Sequence, residues 1–131
     1  MILVDTSILI DFFKGTINEG IKKFEAVLHN GIPFGISSII FQEVLQGANS
    51  EKHYNLLKDY LSKQRFYHPK NEVESYAEAA RIYFDCRKTG ITIKSTIDCI
   101  IAQTALEHDL MLLHNDRDFH AMSKVIPLRF F

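Results

Sequence analysis

Four carboxylates, Asp5, Glu43, Asp98 and Asp116, stand where solubility alone does not account for them. Asp5 closes the apolar run Met1-Ile-Leu-Val4, and Glu43 follows Phe34-Gly-Ile-Ser-Ser-Ile-Ile-Phe41. Asp98 lies within Ser95-Thr-Ile-Asp-Cys-Ile-Ile-Ala102, and Asp116 comes directly after Leu110-Met-Leu-Leu-His-Asn115. If these segments are the strands and helices of one parallel sheet, the acids meet at one end of it. Like charges gathered together are unstable unless a cation neutralises them, so convergence predicts a metal site. The donors are all hard oxygens, with no His or Cys in the set, which favours Mg²⁺ or Mn²⁺ over Zn²⁺. Asp118 is a fifth acid, either a further ligand or a neighbour of the site. Thr6, Ser7 and Asn115 are placed to orient the carboxylates from behind.

Each acid also has an ordinary structural role. Asp5 and Asp116 can cap the helices that follow them. Glu43 can be an exposed helix position, and Asp98 can complete a Ser95-x-x-Asp98 capping box near a helix start. The four together are less well explained that way. Asp11 reads as solvated or as a local helix partner, and His114 as a packing residue.

At 131 residues, 47% hydrophobic and 24% charged, the chain reads as one soluble globular domain over residues 1–131. No apolar run approaches the roughly 20 residues that cross a bilayer, and no basic segment follows Met1, so a cytoplasmic protein is expected. Cys86 and Cys99 have no metal-type spacing and read as reduced thiols in or near the core. The net charge of −1 argues against indiscriminate nucleic-acid binding but allows a local basic rim, for which Lys14, Lys52, Lys94 and Arg117 are candidates.

Strands are expected at residues 1–4, 34–36, 65–67, 111–113 and 125–128. Helices are expected at 8–14, 18–29, from Ser37 or Ser38 through Ala48, 52–63, 72–87, 96–108 and 117–122. On the long helix the predicted apolar face is Val73, Tyr76, Ala77, Ala80 and Phe84. Alternating strands and helices imply a three-layer α/β/α sandwich around a mostly parallel sheet, with ligands bound outside the carboxyl ends of the strands.

Asp5-Thr-Ser-Ile-Leu-Ile-Asp-Phe-Phe-Lys-Gly15 resembles the opening of PIN-domain proteins, specifically the VapC-type toxins of toxin–antitoxin pairs. Glu43-Val-Leu-Gln-Gly47, then Gly90 to Ile93 with Asp98-Cys-Ile-Ile-Ala102, and Leu112-Leu-His-Asn-Asp-Arg-Asp-Phe119 resemble the later motifs. The match spans essentially the whole chain. It implies a PIN-like fold, an Mg²⁺ or Mn²⁺ site on Asp5, Glu43, Asp98 and Asp116, and endoribonuclease activity through a metal-activated water. It further implies an RNA substrate, a VapB-like antitoxin and a homodimer, with no membrane partner. Lys94 and Arg117 would hold RNA phosphate.

Two other classes compete with that reading. An Mg-dependent phosphotransfer domain of the haloacid-dehalogenase kind would carry Asp-x-Asp where this chain has Asp5-Thr6-Ser7. A non-catalytic PIN-like module binding RNA or protein would be expected to have lost one of the acids, and all four are present.

Overall fold

The computed structural model covers Met1–Phe131. Its first strand, β1 (Ile2–Val4), is buried at every residue. A short unbroken apolar run is stable as a strand when helices cover both faces of its sheet. β2 (Phe34–Ile36), β3 (Arg65–Phe66), β4 (Met111–Leu113) and β5 (Arg129–Phe130) complete a five-stranded sheet ordered β3-β2-β1-β4-β5. Every pair is parallel, so the sheet is wholly rather than mostly so.

The chain walks outward from β1 through β2 to β3, then returns to the other side of β1 for β4 and β5. β1 is therefore the point where the strand order reverses, and the carboxyl end of such a strand opens a crevice. The β1–β4 register ends on Val4 opposite Leu113. That places Asp5 and the segment after Leu113 on the same edge.

The last strand differs from the sequence reading. Turns occupy 123–125, and pairing begins only at Arg129. Pro127 has no N–H to give a ladder, which keeps the expected 125–128 strand from forming.

Seven helices connect and cover the strands: α1 (Thr6–Lys14), α2 (Glu19–His29), α3 (Ser38–Gln46), α4 (Glu51–Ser62), α5 (Glu74–Lys88), α6 (Thr96–Glu107) and α7 (Arg117–Met122). Five of the seven begin on a capping side chain, and α5 and α6 do not. Asn18 accepts from the Ile21 N–H, Ser37 from that of Ile40 and Ser50 from that of His53. Gly15, at φ +74°, ends α1 in the left-handed region.

On α5 the inward face is not the expected one. Ser75, Ala79, Ile82 and Cys86 are buried, while Val73, Tyr76 and Phe84 are 77%, 56% and 42% exposed, and Ala77 and Ala80 are exposed as well. Both stripes have helical spacing. α6 packs on the stripe of smaller side chains, and the buried Ser75 hydroxyl is satisfied by Glu107 at 2.7 Å. Cys86 and Cys99 are free and buried, as expected, and burial pushes the Cys99 thiol up to about 11. No helix is long and apolar enough to cross a membrane.

Candidate metal centre

Where β1 stops, the Asp5 N–H still donates to the Leu113 carbonyl at 2.9 Å, so the residue is fixed to the end of β4. Asp5 then caps α1. Its Oδ2 accepts from the Ser7 N–H at 3.0 Å and the Ser7 hydroxyl at 2.6 Å. The other oxygen, Oδ1, is buried and has no hydrogen-bond partner. Such an oxygen is unstable when charged unless something positive meets it. Burial accordingly pushes the Asp5 carboxyl up to about 6, with the charge of Glu43 adding to the rise and the bonds from Ser7 opposing it.

Glu43 comes from α3, half-buried, and the Thr6 hydroxyl donates to its Oε1 at 2.7 Å. Asp98 occupies the first turn of α6 and is buried. The capping box with Ser95 does not form, since Ser95 makes no side-chain cap bond. Burial first, then the charges of Asp5, Asp116 and Glu43, push the Asp98 carboxyl up to about 8, and a hydrogen bond with Asp116 favours the protonated form.

Asp116 does cap α7, accepting the Asp118 N–H at 2.9 Å. Asp118 is itself buried, and its Oδ2 accepts the Lys94 N–H at 3.1 Å. Asp98, Asp116 and Asp118 each offer an oxygen such that the three lie within 4.8 Å of one another. Asp118 thus belongs to the tightest trio, whereas Asp5 and Glu43 join the cluster through their charge on Asp98. An all-oxygen donor set with a buried, unpartnered Oδ1 at its edge fits a hard divalent cation.

A hydrogen-bonded bracket behind the acids holds two of these segments together. The Ser7 hydroxyl accepts the Asn115 N–H at 2.9 Å while donating to Asp5. The Asn115 amide donates to Asp11 at 3.0 Å and to Asn18 at 3.1 Å, and Asn18 donates to Asp11 at 3.1 Å. Asp11 is therefore neither a solvated group nor a partner within its own helix, but part of a bond network reaching across the chain. Gly20 leaves the room for it: a Cβ there would overlap the Asn115 oxygen and fall 2.7 Å from Ile8 Cδ1. Sequence reasoning missed Asp11 and Gly20, and the one available signal was a glycine in the first turn of a well-capped helix.

His114 packs as expected, with ring centroids 5.1 Å from Phe119 and 4.7 Å from Phe130 and from His120. Burial, helped by His120, holds its imidazole down at about 4, and its Nδ1 accepts the Asp116 N–H at 3.0 Å. The neutral ring must then carry its proton on Nε2. Lys14, Lys52, Lys94 and Arg117 are all exposed and take no part in the ion pairs of the chain.

A family model for the PIN domain matches residues 2–125. Over 130 residues the chain is 26% identical to VapC ribonuclease Mb1587 of Mycobacterium bovis, covering 98% of this chain and 96% of the relative. The same figures hold for Ribonuclease VapC11 of Mycobacterium tuberculosis. Among solved structures, FitAcB from Neisseria gonorrhoeae superposes with a TM-score of 0.74 at 22% identity, covering 100% of this chain and 96% of that one. VapBC2 from Rickettsia felis, bound to a promoter DNA fragment, superposes with a TM-score of 0.75 at 18% identity, covering 100% and 98%. At these identities the structural likeness establishes the fold.

Proposed function

The chain belongs to the PIN-domain family, and from that premise we propose that it is a metal-dependent endoribonuclease, the toxin of a VapBC-type toxin–antitoxin pair. The observation that carries the reading is the crowded acid cluster at the carboxyl edge of β1 and β4, with Asp5 Oδ1 buried and unpartnered beside it. Relatives named VapC ribonuclease, alike over nearly their whole length, support the choice of RNA as substrate. The named neighbour VapBC2 supports a VapB-like antitoxin as partner. A cytoplasmic site of action agrees with both.

Asp5, Glu43, Asp98 and Asp116 would hold an Mg²⁺ or Mn²⁺ ion, with Asp118 supporting them. A bound divalent ion neutralises charge on the scissile phosphate and lowers the pKa of a bound water toward neutrality. The residues themselves prepare for that chemistry. Ser7 and Thr6 each donate to one carboxylate, fixing which oxygens of Asp5 and Glu43 stay free. The Lys94 N–H does the same for Asp118. Asp98, held protonated chiefly by burial and then by the neighbouring acids, would have to be in its carboxylate form to hold the ion, whose charge would offset that cost.

Incubating the purified protein with a mixed RNA pool tests this. Cleavage is expected with Mn²⁺ or Mg²⁺, none in excess chelator, and none from Asp98→Asn. Full cutting in chelator, together with an active Asp5→Asn variant, would overturn the metal mechanism. Expression without an antitoxin is expected to stop growth, and Asp5→Ala to remove that effect.

A further inference from the structure

A second recess opens directly beside the carboxylates. Its volume is about 320 Å³ and no hydrophobic residue lines it. Asp116 forms one wall; Lys23, His114, Arg117, His120 and the first-turn backbone at Gly20 form the others. Acidic and basic groups therefore share one recess, with Asp116 linking it to the carboxylate cluster.

No side-chain carboxylate of the chain forms an ion pair with Lys23 or Arg117. The Arg117 guanidinium enters no ion pair, although Asp116 precedes it in sequence. Lys23 Nζ donates to a main-chain oxygen of Phe131 at 3.2 Å, which places the ammonium at the recess. Glu19, the other acid here, lies 3.5 Å from Lys22 on the surface. At the start of α2, Asn18 takes the Ile21 N–H, and those of Glu19 and Gly20 have no acceptor within the helix. They add the positive end of the helix dipole.

A single RNA strand must lay several phosphates near the carboxylates to bring one of them into reaction. Its flanking phosphates are repelled there, because one bound cation does not neutralise five acids and the strand together. The recess is continuous with the cluster through Asp116, offers the cations Lys23 and Arg117 with N–H donors beside them, and has no hydrophobic residue in its lining, which is the chemistry of backbone-phosphate binding. Resting on the nuclease reading, we propose that this recess binds the phosphate next to the scissile one, with Lys23 and Arg117 as its cationic contacts, and so sets the register of the RNA strand over the acids.

The test measures cleavage of a single-stranded RNA oligonucleotide over a series of salt concentrations. The proteins compared are the unchanged chain, Lys23→Ala, Arg117→Ala and Lys58→Ala, the last removing a charge from α4, which lines no part of the recess. Melting temperatures taken alongside confirm folding. Lys23→Ala and Arg117→Ala are expected to raise KM more than they lower kcat. Each should also flatten the logarithmic salt dependence by about 0.7, the value for one lost single-strand phosphate contact. Lys58→Ala should leave KM, kcat and salt dependence as they were. A neutral methylphosphonate walked along the RNA should weaken the unchanged protein at one position where it no longer affects Lys23→Ala. If RNA is cut while both recess variants keep the original KM and salt slope, the phosphate site is wrong and the nuclease reading stands. If the unchanged protein cuts no RNA with Mn²⁺, both fall together.

Discussion

With Asp98 held up to about 8 and Asp5 up to about 6, chiefly by burial, both carboxyls keep protons in the folded chain that the unfolded chain has already released. The unfolded chain binds fewer protons between the ordinary carboxyl range near 4 and pH 8, so stability falls as pH rises through that window. Below it, neither group contributes. In chelator the melting temperature is therefore expected to drop from pH 5 to pH 8, and Asp98→Asn to remove most of the drop. At pH 8 that variant should melt higher by about 4 °C for each kcal/mol of repulsion relieved. Thermal denaturation across the pH series decides it, and a flat profile in the unchanged protein would mean that the acids are not crowded. The acids of the cluster were legible because each stands at the end of an apolar run or at a helix start, where sequence alone locates it. Asp11 and Gly20 were not, since their role is set by Asn115, far away in the chain.

At the scale of elements, the start of α2 is fastened to the loop between β4 and α7 through Gly20, Asn18 and Asn115. Gly20→Ala would drive its new methyl into Asn115 and Ile8, and overpacking of this kind costs roughly 1–3 kcal/mol. Because Asn115 supplies most of the clash, the double variant Gly20→Ala with Asn115→Ala should lose less stability than the two single variants summed. Denaturant unfolding of the four proteins gives the comparison, and strict additivity would show that Asn115 swings aside freely. The helix starts at Asp5, Ser37 and Asp116 could be read from the sequence, because capping is decided locally. The inward face of α5 could not. Its two apolar stripes are equivalent by spacing, and only the close fit of α6 against Ser75, Ala79, Ile82 and Cys86 selects between them. The strand at 125–128 failed for a legible reason, Pro127, whose missing N–H outweighs the apolar pattern around it.

For the whole molecule, the stripe that α6 leaves uncovered has its own consequence. Val73, just before α5, and Tyr76 and Phe84 on it remain exposed. Ile39, Tyr83 and Ile97 join Tyr76 around an adjoining apolar cavity of about 390 Å³. A second copy of the chain is the expected occupant, and Tyr76→Glu should shift the protein from dimer to monomer in light scattering while leaving its melting profile cooperative. A monomeric unchanged protein at micromolar concentration would refute the dimer. The sheet order carries a further consequence, one of timing. β1 and its neighbour β4 are separated along the chain by six helices and two other strands, so β4 is made only after all of them. A growing chain still held by the ribosome has Asp5, Glu43 and even Asp98 in hand, but it lacks the strand that brings Asp116 and Asp118 to them. The set of acids stays incomplete, and the crevice at the end of β1 half-walled, until β4 and the segment after it have been made.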